Sequence, residues 1–179
     1  MDNLARILDR LKRTYNIDEN RVYLTGISDG GTGVYYMAFK DVTPWASFLP
    51  LMGHMAVLGT RSVRADGEMY PGNAINKPLY VVNTGRDQMY PAHVTQIYVD
   101  HLRKLGGSVV FRVYPELDHS TEWWPNDRSE FESFVHDHPR AAHPAHPAQS
   151  SPAAAATTHA TVERDRKRVR DLSLESKQW

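Results

Sequence analysis

The chain contains no cysteine. That absence excludes disulfide bridges, a thiol nucleophile and any zinc or iron–sulfur site built on thiolates. It leaves the compartment open, because disulfide-free proteins occur on both sides of a membrane. Net charge is missing too: 21 basic residues face 21 acidic ones. Nothing in that balance calls for nucleic acid, an anionic membrane or a highly charged substrate. No stretch approaches the roughly 18 apolar residues needed to span a bilayer. Met1-Asp2-Asn3-Leu4 has neither the basic flank nor the apolar run of a signal peptide. As written the chain reads as cytoplasmic, while a start further upstream would carry any signal peptide with it.

What is present is the make-up of a globular protein. Hydrophobic residues are 41% and aromatic residues 10% of 179, enough for one domain with a buried core and a tail. Leu4, Ile7, Leu8, Leu11 and Tyr15 recur at helical spacing, with Asp2 placed to cap the start, and predict a helix over about 2–15. Arg21-Val22-Tyr23-Leu24-Thr25 is a β-rich run closed by Gly26 and predicts a strand. A helix over about 30–39 follows, then a buried strand from Trp45 to Leu51. Glycines and prolines break the pattern between Gly53 and Pro78, which predicts an irregular excursion.

Regular structure returns with a strand over 79–84 and a helix opened by Pro91 and stopped at Gly106-Gly107. A strand over 108–114 and a helix over about 126–136 complete the series. Helices alternating with β-rich strands predict an α/β fold, a mainly parallel sheet covered by helices. After His138 the composition changes. Pro139 to Ala160 is rich in Ala, Pro, His, Ser and Thr, and Thr161 to Trp179 is strongly charged. The expected organisation is one domain over 1–138 and a disordered tail over 139–179.

Gly26-Ile27-Ser28-Asp29-Gly30 matches G-x-S-x-G and is followed by Gly31. By chance a match of this kind turns up in about one chain in twenty of this length. Here it follows a predicted strand and opens a predicted helix, the context of a nucleophile elbow. Glycines two residues on either side let strand and helix approach, and the helix N-terminus favours developing negative charge. The rival is a glycine-rich turn with an ordinary serine.

A serine attacks a carbonyl only when a base takes its proton, and the base needs a partner to hold its tautomer. Asp87 lies three residues past the strand ending at Thr84, and His119 five residues past the strand ending at Tyr114. Both fall on the sheet edge that Ser28 occupies, beyond the C-terminal ends of parallel strands, where ligands bind in open α/β sheets. The order serine, acid, histidine is that of elbow-type hydrolases. Asp87 also suits a cap for the helix near Pro91. Glu116 and Asp118 are neighbouring carboxylates placed awkwardly for His119, His54 is a weaker base candidate, and His93 and His101 read as surface residues.

Residues 1–138 resemble the C-terminal two-thirds of an α/β-hydrolase, in the branch of dienelactone-hydrolase-like, polyhydroxybutyrate-depolymerase-like and prolyl-oligopeptidase-like enzymes. The resemblance rests on Tyr15-Asn16-Ile17-Asp18-Glu19-Asn20-Arg21-Val22-Tyr23 running into the Ser28 motif, with Asn83-Thr84-Gly85-Arg86-Asp87 and Leu117-Asp118-His119 in support. It implies a serine hydrolase with Ser28 as nucleophile, Asp87 as acid and His119 as base, cleaving a small-molecule ester or, second, a peptide. No metal or organic cofactor is implied. Asp29 N–H would be one oxyanion donor.

Members of the family have strands ahead of the helix that precedes the elbow, and an early loop supplies a second donor. This sequence begins at that helix. The expectation is a piece of a longer protein, or a sheet completed by another chain, with the strand before Ser28 exposing an edge open to self-association. Loss of one oxyanion donor costs about 3–4 kcal/mol, so the alternative is a catalytically impaired domain serving as an interaction module. A flavodoxin-like domain binding an anion at the Gly26–Gly31 turn is a third reading. Trp123 and Trp124, with Tyr90 opposite, either line a substrate pocket or pack the last helix. His136, His138, His143 and His146 read as solvated rather than metal-binding, and the Arg164–Arg170 cluster as a solvated helix.

Overall fold

The computed structural model describes residues 2–59 and 67–140. The regular elements are α1 (Asp2–Thr14), β1 (Leu24–Ile27), α2 (Asp29–Lys40), β2 (Phe48–Leu51), β3 (Leu79–Thr84), α3 (Ala92–Lys104), β4 (Val109–Tyr114) and α4 (Trp124–Asp137). The four strands are parallel and lie in the order β1-β2-β3-β4. Leu24 pairs with Phe48, Phe48 with Leu79, and Leu79 with Val109. All C-terminal strand ends therefore meet along one edge.

β2 and β3 are buried at every residue, as strands covered on both faces must be. Alternate residues point to opposite sides. Phe48, Leu79 and Val81 join Val34, Phe39, Val99 and Leu102 of α2 and α3 in one core. Leu49, Tyr80 and Val82 pack instead with Trp123 and Phe134 around α4. The sheet is thus sandwiched between α2 and α3 on one face and α4 on the other.

Several boundaries differ from the sequence reading. The first strand starts at Leu24 rather than Arg21, because Glu19–Arg21 forms a 3-10 turn whose Asn20 N–H is capped by Asp18. Trp45 is folded into a turn onto Val42, so regular pairing in the next strand waits until Phe48. Short 3-10 turns at Met55–Gly59 and Pro71–Ala74 occupy the expected excursion. α4 begins at Trp124, with Pro125 in the first turn where its missing N–H costs nothing.

Of the apolar stripe on α1, Leu8 is buried in the core while Leu4, Ile7, Leu11 and Tyr15 are exposed. Among the described residues β1 pairs only with β2. His136 sits against Asp137, and His138 bonds to the Phe134 carbonyl and stacks on that ring. Of the expected tail over 139–179, Arg140 N donates to Asn20 O; residues 141–179, with His143, His146 and the Arg164–Arg170 cluster, lie outside the described residues. No helix among the described residues is long and apolar enough to cross a membrane.

Candidate active site

β1 delivers the chain into a strained turn. Ser28 adopts φ 58°, ψ −125°, a conformation that costs a non-glycine residue about 1–3 kcal/mol and must be held by its surroundings. Its N–H donates to Leu51 O at 2.9 Å, and its carbonyl accepts from Thr32 N at 3.0 Å. A Cβ on Gly26 would lie 2.5 Å from Gly30 O, and one on Gly31 2.6 Å from Leu51 O. A Cβ on Gly30 would meet nothing within 4 Å. The close approach therefore depends on Gly26 and Gly31, not on the Gly26–Gly30 pair that the motif suggests. Asp29 opens α2, so its N–H belongs to the first turn, whose donors have no partner within the helix.

Asp87 is 4% exposed and uses both carboxylate oxygens. Oδ1 accepts from Met89 N and Tyr90 N, each at 2.9 Å. Oδ2 lies 2.6 Å from His119 Nδ1. A carboxylate only accepts, so Nδ1 carries the hydrogen and the Nε2 lone pair is free. Nε2 lies 3.0 Å from Ser28 Oγ. Asp87 does not cap α3, whose N-cap is Pro91 with no side-chain bond; its Oδ1 closes the turn at Met89 and Tyr90 instead, leaving Oδ2 for the histidine.

The loops bearing Asp87 and His119 are laced together. Gly85 N donates to Tyr114 O at 2.9 Å and Arg86 N to Leu117 O at 3.0 Å. Arg86 and Glu116 form an ion pair above them. A side chain at Gly85 would put Cβ 2.6 Å from the Pro115 backbone. Glu116 is thereby occupied away from His119.

Tyr90 stands over the site. Its ring stacks on His119 with centroids 5.0 Å apart and planes 22° apart, and its hydroxyl donates to Asp29 Oδ1 at 2.6 Å. Burial, then the bond to Asp29, raises the Tyr90 phenol above its usual value, with Ser28 acting in the opposite sense. His54 presents its edge to Tyr90 at 6.2 Å, and its N–H is held by Thr32 Oγ1. Burial keeps the His54 imidazole below its ordinary range, opposed by Asp87 and reinforced by His93. His93 is exposed on α3.

The tryptophans separate from this group. Trp123 is 1% exposed and stacks on Tyr114 in the α4-side core, so it has no surface to offer a substrate. Trp124 is partly exposed and packs edge-on against Trp123 and Phe131. Trp123 serves the α4 interface, while Trp124 keeps an exposed face. Asn83, which the sequence placed in a supporting segment of the resemblance but gave no role of its own, is fully buried and donates to Tyr90 O at 3.1 Å. An asparagine at the end of an otherwise apolar strand was the signal available. Among the described residues no group of acidic and histidine side chains is arranged to hold a metal ion.

No family model matches the chain. Over 50 residues it is 40% identical to the bifunctional acetylxylan esterase/xylanase XynS20E of Neocallimastix patriciarum, a stretch covering 28% of this chain and 8% of that protein. Similarity of fold extends further. A thermostable esterase superposes with a TM-score of 0.63 at 24% identity, over 77% of this chain and 36% of the other. Pyrococcus horikoshii acylaminoacyl peptidase gives 0.61 at 18% identity, over 81% and 28%. SOBER1 of Arabidopsis thaliana gives 0.57 at 18%, over 76% and 61%. The chain spans less than two thirds of each of these proteins. The described residues have the fold of the α/β-hydrolases, in part. Within that class the similar structures include esterases and a peptidase.

Proposed function

We propose that this chain carries the catalytic part of a serine hydrolase that cleaves carboxylic esters, with peptide amides second. One observation carries the reading: an unbroken line from Ser28 Oγ through the His119 imidazole to the buried Asp87 carboxylate, at 3.0 and 2.6 Å. That is the geometry in which a histidine accepts a serine proton while a carboxylate holds its tautomer. The esterases among the similar structures, and the local likeness to an acetylxylan esterase, favour ester over amide.

In this reading Ser28 Oγ attacks the ester carbonyl carbon as its proton passes to His119 Nε2. Asp29 N–H donates to the oxyanion, and Asp87 stabilises the imidazolium. The tetrahedral species collapses, the C–O bond to the alcohol breaks, and His119 returns the proton to the leaving oxygen. Water then attacks the acyl–Ser28 ester, giving its proton to His119, and the acid departs as Ser28 Oγ regains a hydrogen. Tyr90 borders the site where the substrate would lie. The test is labelling of the purified chain by a fluorophosphonate probe, with Ser28→Ala as control. Labelling that disappears in the variant supports the reading; a folded chain that stays unlabelled overturns it for this chain alone.

A second reading has observations of its own. The exposed stripe on α1 and the outer edge of β1 favour a domain of impaired activity that works by protein contact, including self-association through the sheet edge. It predicts an unlabelled, folded chain that elutes as an oligomer in size-exclusion chromatography.

A further inference from the structure

Tyr90 touches each of the segments that bear Ser28, Asp87 and His119. Its hydroxyl reaches Asp29, immediately after the serine, its amide donates to Asp87, and its ring lies against His119. Its carbonyl is pinned by buried Asn83, and Pro91, next in the chain, restricts its backbone further.

His119 needs such a restraint. It sits on a loop, its side chain is 26% exposed, and its bond to Asp87 fixes a single ring nitrogen. The second nitrogen meets only the Ser28 hydroxyl, a contact given up when that oxygen attacks, so the ring can then swing about the Asp87 bond and carry Nε2 away. A flat ring against its face removes that freedom. A phenyl group could supply the face, but only an anchored one stays put, and Asp29 Oδ1 is the anchor at 2.6 Å. A phenol is protonated and able to donate at neutral pH, and burial raises Tyr90 further.

We infer that Tyr90 is a positioning residue: tied by its hydroxyl to Asp29, its ring holds the His119 imidazole in line between Asp87 and Ser28. The inference rests on the triad reading above for its catalytic consequence, though not for its geometry. It also gives the Asp29 side chain a part separate from that of its N–H. The anchor and the wall belong to segments 61 positions apart in the chain, so the link couples the elbow to the loop after β3.

The test compares Tyr90→Phe, Tyr90→Ala, Asp29→Ala and the double variant Tyr90→Phe/Asp29→Ala in the full chain. The first readout needs no activity. In the proton NMR spectrum the His119 ring protons should carry an upfield shift from the stacked tyrosine. Tyr90→Phe and Asp29→Ala, which each remove one partner of the anchoring bond, should each move them toward free-histidine positions, and Tyr90→Ala should abolish the shift. The second readout is turnover of p-nitrophenyl acetate. Tyr90→Phe should lower kcat about tenfold, the rate equivalent of one ordinary hydrogen bond, with KM changed less than about twofold. The double variant should lose no more than either single one, because both cut the same link. Unchanged His119 shifts in Tyr90→Phe, or losses that multiply in the double variant, overturn the inference. An unlabelled wild-type chain whose His119 shifts still respond would overturn the triad reading and leave the positioning intact.

Discussion

His119 Nε2 lies 3.0 Å from Ser28 Oγ although 91 positions separate them in the chain. They arrive from strands at opposite sides of the four-stranded sheet, β1 and β4. Strand spacing of about 4.8 Å puts those strands roughly 14 Å apart. The loop after β4 must therefore fold back along the sheet edge to bring the imidazole over the elbow. Asp87, rising from β3 between them, is the post it leans on, and the lacing of Gly85 and Arg86 to Tyr114 and Leu117 fixes that return path.

Asp87→Asn tests the post without removing it. The amide oxygen can still accept from Met89 N and Tyr90 N, so the turn before α3 should survive. Its NH2 group, turned toward His119, favours hydrogen on Nε2 and leaves no lone pair facing Ser28. Turnover of p-nitrophenyl acetate should fall by about three to four powers of ten, with an unchanged circular dichroism spectrum. A rate within a few-fold of wild type would remove Asp87 from the triad.

How much of this was legible in the sequence follows from what is local and what is not. The edge shared by Ser28, Asp87 and His119 is readable because each follows a β-rich run by a few residues, and parallel strands point all such loops one way. The Tyr90–Asp29 bond has no local signature, since it joins segments far apart in sequence. The need for Gly31 rather than Gly30 arises from contact with the Leu51 carbonyl, which depends on register between β1 and β2. Trp123 could not be assigned to core or pocket because a tryptophan beside a loop serves either, and only the position of Tyr114 decides. The early start expected for β1 came from Val22 and Tyr23, whose β-rich character hid the capped turn just before them.

Gly85→Ala should damage stability and rate together. The added Cβ would lie 2.6 Å from both Cα and O of Pro115, backbone atoms that cannot rotate aside. The two loops must part by some tenths of an ångström, at a cost of about 1–3 kcal/mol. That movement also lengthens the Asp87–His119 contact, so kcat should drop by more than the loss of folded protein explains. Urea denaturation and kcat measured on the same preparations check this. A shifted midpoint with unaltered kcat would mean the lacing supports the fold alone.

On the far face of the sheet, Asp127 is 1% exposed and joins α4 to two strands. Its Oδ2 accepts from the Tyr80 hydroxyl at 2.9 Å and its Oδ1 from the Tyr114 hydroxyl at 2.8 Å, with Arg112 Nε 3.7 Å away. Asp127→Ala leaves two tyrosine hydroxyls facing an emptied acceptor site and should cost about 3 kcal/mol. Asp127→Asn keeps one acceptor and should cost about half as much. The urea midpoints of the two variants give the comparison, and equal losses would point to packing rather than hydrogen bonding as the cause.

The same cluster predicts how stability depends on alkali. Burial, followed by the bond to Asp127, pushes the Tyr114 phenol up to about 12. Burial is also the main cause of the rise of Tyr80 to about 12, with Asp127 adding to it and Arg112 opposing. Burial raises Tyr35 and Tyr98 as well. In the unfolded chain these phenols return to about 10. A group that holds its proton more tightly when folded stabilises the fold fully below its unfolded value, and that contribution fades as pH climbs through the folded value. Stability should therefore show no loss from these groups up to about pH 10, then fall between about 10 and about 12 as the unfolded state releases protons that the folded state keeps. Urea midpoints across that interval, with phenolate absorbance followed on the same samples, measure it. In Asp127→Asn the loss of negative charge should lower Tyr80 and Tyr114 in part, their burial remaining, and make the fall shallower. An equally steep fall in that variant would mean that burial of the tyrosines, and not the Asp127 charge, sets the alkaline transition.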